Sequence, residues 1–404
     1  MTGLAVYLAI VLAIQVLSLL LLLENHRTIP KLGPRTYARP PGPAPRVSVV
    51  VPARNEERNI DRCVRSLLAQ DYPDFELVVV DDRSTDQTGT ILDRIADGDA
   101  RLRVVHGVEP PAGWLGKNHA IHQGVAAADC DYLLFVDADT DLHPACLAQV
   151  AAFAEERGSD LLTLLPRLVN LSFWERVVQP AIGQLVLAWF PSKWINDPAR
   201  PKAASANGPF LLFRRAAYDA IGGHEAVKGD IVEDLTLARR IKESGRRLSY
   251  VLGTELQRLR MYTSFREIWN GWSKNFHVAV GGNVAGAAIA AAGLLAVFVL
   301  PWLAAPAALV ALALGIPGAG VAALLGAAVI ATAVAWRKVM DRLYAGDAGT
   351  AWLQALGFAV VAAILVNSTV RAATGRTVAW KGREHRLVLD ASPDPPTRGD
   401  ERRN

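Results

Sequence analysis

Residues 3–23, GLAVYLAIVLAIQVLSLLLLL, carry no charged side chain over a stretch long enough to cross a bilayer as a single helix. The run is longer than a signal-peptide core, has no basic residue before it and no small-residue cleavage site after it, so residues 1–25 read as a retained transmembrane helix. Uncharged sequence rich in Ala, Leu and Val returns at 284–336 and 351–370. Pro301, Pro306 and Pro317 punctuate the longer of these, and the region 284–370 is expected to hold about three helices. A mean hydropathy of +0.20 therefore reflects separate membrane segments rather than a uniformly greasy chain.

The intervening region, 47–260, has ordinary globular composition. A formal charge of +4 is modest, and the basic residues gather beside the apolar runs, at Arg27, Lys31 and Arg35, at Arg337, Lys338 and Arg342, and at Arg371, Arg376 and Lys381. They read as contacts with an anionic inner leaflet, not as a nucleic-acid surface. Cys63, Cys130 and Cys146 have no paired spacing and suit a reducing compartment. Residues 26–46, rich in proline and basic side chains, read as a linker along the membrane surface, and 371–404 as a basic tail ending in disorder.

Strands and helices alternate through the globular region. VSVVV (47–51) is a buried strand; Glu57–Ala69 has helical spacing; FELVVVDD (75–82) is a strand ending in acids before a capped helix start. RLRVVHG (101–107), NHAIHQGVAAA (118–128) and YLLFVDAD (132–139) continue as strand, helix and strand. The pattern predicts a Rossmann-like α/β domain with a mainly parallel sheet, and ligands then lie at the carboxyl ends of the strands. Asp81-Asp82 and Asp137-Asp139 fall there.

A single acid at a strand end is commonly a turn or helix cap, and Asp86 reads as one. Asp137-x-Asp139 differs: with Ala138 pointing the other way along a strand, the two carboxylates would share a face. Like charges at that range repel unless a cation intervenes, and hard oxygen ligands suit Mg2+ or Mn2+ shared with phosphate oxygens. Glu233-Asp234 opens a predicted amphipathic helix, where acids also serve the helix dipole. The preceding Asn207-Gly208 and Gly222-Gly223 mark tight loops that allow close backbone approach, Asn207 and Gly208 toward a donor ligand. Lys117, between a glycine-containing loop and a helix start, suits a phosphate contact. His106, His119, His122 and His143 have no metal-ligand spacing and read as structural, and the glycines do not form a dinucleotide fingerprint.

The motifs VSVVVPARNEERNI, ELVVVDDRSTDQT, FVDADTD and VEDLTLARRI occur in the order and spacing of family 2 glycosyltransferases of the GT-A fold, which the region from about 46 to 260 resembles. NGPFLLFRRAAYDAIGGHEAV, RMYTSFREIWNGWSKN and WKGR look like the membrane-bound branch that includes carotenoid glycosyltransferases. The resemblance implies that Asp82 holds the uracil or ribose of a nucleotide sugar, with Pro52, Arg54 and Glu56 lining the same pocket. It implies that Asp139, helped by Asp137, binds the divalent ion, that Asp234 is the catalytic base, and that Lys117 contacts the donor. Glu233, Trp269, Trp272 and Lys274 are placed on the acceptor side.

Many membrane synthases of this kind carry Q/R-x-x-R-W about three dozen residues past the base; here that distance reaches NGWSKN (270–275), with no R-W pair. Transfer of a single sugar is favoured over a processive polysaccharide synthase. A silent scaffold is disfavoured by the retention of Asp82, Asp137, Asp139 and Asp234. One base and no second nucleophilic carboxylate imply single displacement with inversion.

Residues 168–197 and 261–283 mix aromatics with Arg176, Lys193, Arg266 and Lys274 and read as interfacial segments that floor the site and admit a lipid. The expectation is a multi-pass inner-membrane protein with its catalytic domain in the cytosol. It would take a nucleotide-sugar donor, with UDP-hexose the expected one, and a lipid acceptor such as a carotenoid, hopanoid, glycerolipid or polyprenyl phosphate, and no nucleic acid. A full span at 351–370 would export the basic tail against the positive-inside rule, so that segment is re-entrant or 284–336 holds a different helix count.

Overall fold

The computed structural model describes residues 1–37, 44–189, 191–279, 283–374, 377–380 and 383–386. Part of the expected linker, part of WKGR and nearly all of the tail lie outside the described residues.

The first half of the globular region alternates as its hydrophobic pattern demands. Strands β1 (Val47–Ala53), β2 (Phe75–Asp81), β3 (Leu102–His106) and β4 (Tyr132–Val136) are joined by helices α2 (Ile60–Leu68), α3 (Thr88–Ala96) and α4 (Gly116–Ala126), after the N-terminal helix α1 (Thr2–Thr28). Strands β1, β2 and β4 are almost wholly buried on both faces, as expected for a sheet covered on each side by crossover helices, while β3 at the sheet edge is only partly buried. Chain order then gives β5 (Thr140–Leu142), α5 (Cys146–Arg157), β6 (Leu161–Leu165), β7 (Arg167–Leu168), α6 (Phe173–Trp189), α7 (Ser192–Ile195), β8 (Phe210–Arg214), α8 (Arg215–Ala220), α9 (Glu233–Glu243), β9 (Leu248–Leu252) and β10 (Gln257–Leu259).

The main sheet runs β3-β2-β1-β4-β8-β6-β9. Only β8 is antiparallel to its neighbours. Val49, Val51, Leu77 and Val79 pack on α2 and α3, while Val50, Val78 and Val80 pack on α4. Helix α4 sits unusually close because residue 124 is glycine: a Cβ there would lie 2.4 Å from Val50 Cγ1. This approach aims the first turn of α4, with Lys117, at the strand ends. A second small sheet, β5-β10-β7, flanks them.

The linker is not a bare tether. Pro30 and Leu32 exchange backbone hydrogen bonds with Leu252 of β9 (Leu252 N to Pro30 O, 2.8 Å; Leu32 N to Leu252 O, 2.9 Å), and Ile29 and Leu32 are buried. The first helix is thereby fixed to the sheet edge.

The C-terminal part comprises α10 (Phe265–Ala279), α11 (Val284–Leu294), a π turn at Leu295–Val299, α12 (Pro301–Ala313), α13 (Ala319–Leu343), a 3-10 turn at Ala348–Leu353, α14 (Gln354–Ala373) and a hairpin, β11 (Thr377–Trp380) and β12 (Arg383–Arg386). Helix α1, helix α13 and the segment Ala348–Ala373 are each long and apolar enough to cross a membrane, and α11 with α12 forms a pair bent by 42°. The bend has a local cause. Leu300 N donates to Leu295 O, passing over Ala296 O, and Pro301 has no N–H to offer Val297 O. Helix α1 supplies both missing donors: Tyr7 Oη to Ala296 O at 2.6 Å and Gln15 Nε2 to Val297 O at 3.2 Å. In a bilayer, where water cannot satisfy freed carbonyls, these two polar side chains make the break tolerable.

Helices α6, α10, α11 and α14 pack into one apolar cluster around Val177, Ile182, Ile268, Phe276, Phe358 and Leu365. Gly357 permits the contact between α14 and α6, since a Cβ there would fall 2.4 Å from Val177 O.

Candidate active site

A cleft of about 800 Å³ opens where the strand order reverses, between β1 and β4. Pairing of β1 with β4 stops at Val50 and Phe135, whereas β1 stays paired with β2 as far as Ala53 and Asp81. The sheet splays there. Pro52 sits beyond the last β1–β4 pair, so its missing N–H interrupts no ladder on that side.

The loops leaving β1 and β2 form one wall. Asn55 and Arg83 both adopt left-handed backbone, with φ of 52° and 55°. Such positions cost on the order of 1–3 kcal/mol for residues other than glycine, and they persist only where neighbours enforce them. Here the two loops enforce each other: Asn55 N donates to Ser84 Oγ (3.0 Å), Thr85 N to Asn55 Oδ1 (2.8 Å), and Arg54 Nη1 to Asp82 O (2.6 Å). Pro52, Arg54, Glu56 and Asp82 all border the cleft. Asp86 is a cap, as its position at a helix start implies, accepting from Thr88 N at 3.0 Å.

Asp137, Ala138 and Asp139 are not strand residues. β4 ends at Val136, and Thr140 N donates to Asp137 O at 3.1 Å to close a turn into β5. Strand alternation therefore does not place the two carboxylates; the turn does, with Ala138 buried in the core and both acids bordering the cleft. Lys117 Nζ lies 2.9 Å from Asp137 Oδ1 and 2.9 Å from Glu233 Oε1. Burial works against its charge, but the Asp137 and Glu233 carboxylates outweigh it and hold the ammonium well above lysine's usual pKa.

Asp234, in the first turn of α9, directs Oδ2 to Gly208 N (2.9 Å) and Oδ1 to its neighbour Leu235 N (2.8 Å). A side chain at 208 would crowd this carboxylate, its Cβ 3.0 Å from Oδ2. Burial, and then the adjacent Glu233 charge, push Asp234 up to about 6, against the opposing pull of Lys117 and the two amides.

The third wall is the chain from Arg260 to Thr263 and one face of α10, where Arg266, Asn270 and Lys274 follow at helical spacing. Arg260 makes a two-pronged pair with the fully buried Glu175 (2.9 and 3.2 Å). Glu175 also accepts from Ser172 N at 2.5 Å, while Ser172 Oγ accepts from Glu175 N at 3.4 Å, a capping box at the start of α6. The cleft wall and the apolar helix α6 are thus locked together.

Three of the sequence-predicted positions lie elsewhere. Asn207 turns its side chain to Leu164 O (Nδ2 to O, 2.8 Å) and braces the loop on β6. Trp269 and Trp272 are on the opposite face of α10, in the apolar cluster with α6 and α14, where Trp272 Nε1 donates to Gln179 Oε1 at 2.9 Å. Amphipathicity decides this: positions 268, 269, 272 and 276 form the apolar stripe, and 266, 270 and 274 the polar one. Glu175 and Arg260 were not anticipated, although Ser172-x-x-Glu175 before an apolar run is a readable capping signal.

Among the described residues no group of three His, Cys, Asp or Glu side chains is close enough to chelate a metal. Asp137 and Asp139 offer two hard oxygen donors at the cleft edge, a set that fits a cation such as Mg2+ or Mn2+ completed by phosphate oxygens and water.

Residues 48–222 match the family model described as Glycosyl transferase family 2. The 4,4'-diaponeurosporenoate glycosyltransferases of two Staphylococcus aureus strains are 26% identical over 253 residues, covering 59% of this chain and 62% of theirs. The chain thus spans less than two thirds of those relatives. A mannosyltransferase from Pyrobaculum calidifontis, solved in complex with GDP-Man and Mn2+, superimposes with a TM-score of 0.53 at 20% identity over 91% of this chain and 98% of that one. That likeness establishes a common fold: a Rossmann-like GT-A domain with apolar terminal helices.

Proposed function

We propose that this chain, whose residues 48–222 form a family 2 glycosyltransferase domain, moves one sugar from a nucleotide-diphosphate sugar to a membrane lipid with inversion at the anomeric carbon. Asp82, Asp137, Asp139 and Asp234 converge on one cleft from two separate strand ends and a helix start, and this convergence is what supports the reading most strongly.

In this reading Asp82, Pro52, Arg54 and Glu56 hold the nucleoside, UDP being the first choice. Lys117 faces the diphosphate, and Asp137 and Asp139 hold Mg2+ or Mn2+. The cation, when bound, neutralises charge on the departing diphosphate. Asp234 takes the proton from the acceptor hydroxyl, or orients an acceptor carboxylate or phosphate, as that oxygen bonds to the anomeric carbon. The bond from that carbon to the diphosphate breaks, and nucleoside diphosphate leaves. The fixed Gly208 and Leu235 amides aim the Asp234 carboxylate. Lys274, Arg266 and Glu233 line the side from which an acceptor enters. The apolar floor beneath α10, and the likeness to glycosyltransferases of 4,4'-diaponeurosporenoate, support a lipid acceptor of carotenoid type. Purified protein should release nucleoside diphosphate from a UDP-hexose, or from a GDP-hexose, in Mn2+ and lipid extract; no release from any nucleotide sugar would remove the reading.

The same reading places the catalytic domain in the cytosol, where nucleotide sugars are made, and keeps the tail with it. Helix α14 supports this. It begins beside Arg176 and Asp347, an ion pair at 3.4 Å, and ends with Ala372 packed against Ile231, which borders the cleft. Both ends of α14 thus lie near the catalytic domain, and we place it in the inner interface rather than across the bilayer. With α1, the bent pair and α13 crossing, Arg337, Lys338 and the tail remain inside, as the positive-inside rule prefers. Single cysteines replacing Ala348 and Thr374 should both react with a membrane-impermeant maleimide from the cytosolic face only; labelling from opposite faces would make α14 a span.

A further inference from the structure

Lys117 joins two parts of the site with separate duties. Asp137 follows the last residue of β4, and Glu233 opens α9 immediately before Asp234. The ammonium is equidistant from both carboxylates at 2.9 Å. Lysine's charge is compact, with three donors that leave room for two simultaneous partners. Glu233 is nearly buried, with its side chain 8% exposed, whereas that of Asp137 is 27% exposed and open to the cleft. The pair on the Glu233 side is the one shielded from water.

The Asp137 oxygen that meets Lys117 cannot also meet a divalent cation without bringing two positive charges together. Asp137 is then compromised as a metal ligand, and among the described residues no group of three chelating side chains stands together to replace it. A nucleoside diphosphate changes this balance, because its negative charges can take both the ammonium and the metal.

We propose that Lys117 is a resident counter-ion that closes the metal subsite until donor arrives. Without nucleotide it neutralises Asp137 and keeps β4 tied to the start of α9. When diphosphate enters, the ammonium leaves Asp137 for the phosphate oxygens and stays on Glu233, and Asp137 passes to the metal. Metal and donor therefore load together, and metal alone binds poorly. Lys117 is in this respect a positioning residue for Asp137 and, through Glu233, for the helix start that carries Asp234. The inference rests on the glycosyltransferase reading above.

The test is Mn2+ binding to the purified full chain in detergent, read from loss of the free Mn2+ electron paramagnetic resonance signal and from the thermal shift Mn2+ produces. In the wild type, Mn2+ alone should bind weakly, and UDP or GDP should tighten it by about tenfold or more. In Lys117→Met, Mn2+ alone should bind about tenfold tighter than in the wild type and raise the melting temperature, while the nucleotide enhancement shrinks. Lys117→Gln, which can still donate hydrogen bonds to either acid, should show the same gain and guards against a folding defect in the methionine variant. A merely structural lysine would give loss, not gain. If both variants fold and bind Mn2+ alone no tighter than the wild type, the counter-ion role is overturned. If the wild type binds no Mn2+ even with UDP or GDP, the metal-dependent reading of the site fails, and this inference falls with it.

Discussion

Asp234→Asn should lose transfer by about 10²–10⁴-fold, the usual worth of a positioned general base, while nucleotide binding stays within a few-fold of the wild type. The reason lies in how the carboxylate is held. Both oxygens of Asp234 are occupied by backbone amides, Gly208 N at 2.9 Å and Leu235 N at 2.8 Å, so its direction is fixed before any acceptor arrives. An asparagine fills the same space but cannot take a proton, and its amide nitrogen must face one of two N–H donors. Some local loosening follows, which is why nucleotide affinity must be measured beside the rate.

The pH dependence carries a sign. A base works in its deprotonated form, and burial together with Glu233 holds Asp234 near 6. Transfer should therefore fall as pH drops through about 6 and be flat above it, until another group intervenes. The limb should appear in kcat/KM and vanish in the asparagine variant's residual activity. Near-normal transfer by Asp234→Asn, or an acid limb unchanged in that variant, would move the base elsewhere.

Asp139→Asn should weaken a different quantity, the affinity for donor in the presence of the metal. Asp139 lies in the turn that follows β4 and borders the cleft with Asp137. Removing its charge takes away one of two carboxylates available to a cation. Truncating one partner of a buried charge pair typically costs 2 kcal/mol or more, so the Mn2+-dependent part of donor affinity should weaken by at least about thirtyfold. Donor binding in chelator should be unchanged, because the nucleoside contacts proposed for Asp82, Arg54 and Glu56 do not involve the metal. Titration of UDP into wild type and variant, with Mn2+ and with chelator, separates the two contributions. Equal weakening in both conditions would make Asp139 a structural residue rather than a cation ligand.

Much of this site could be read from the chain because its signals are local. Hydrophobic runs ending in acids, at Val78–Asp82 and Leu133–Asp139, mark strands with charged carboxyl ends, and the α/β alternation then brings those ends to one edge. The start of α9 at Glu233 was equally legible from its amphipathic spacing. What stayed hidden depends on partners distant in sequence. Nothing near Lys117 announces that it bridges Asp137 and Glu233, and nothing near Tyr7 or Gln15 announces that Ala296 and Val297 carry orphaned carbonyls. Asp137-Ala138-Asp139 misled for a different reason: an apolar run continues naturally into them, and only the small β5-β10-β7 sheet turns the chain there. The tryptophans of α10 drew notice as aromatics, but the helix rotates them onto its packed face.

If the four acids work together on a lipid acceptor, the product is a glycolipid that cells without the activity lack. Mass spectrometry of total lipids from cells carrying the wild-type gene, no gene, or the Asp234→Asn allele decides this. The prediction is one lipid class heavier by a single sugar, present with the wild type and absent from the other two. Identical lipids in all three strains, or a ladder of products carrying many sugars, would contradict it.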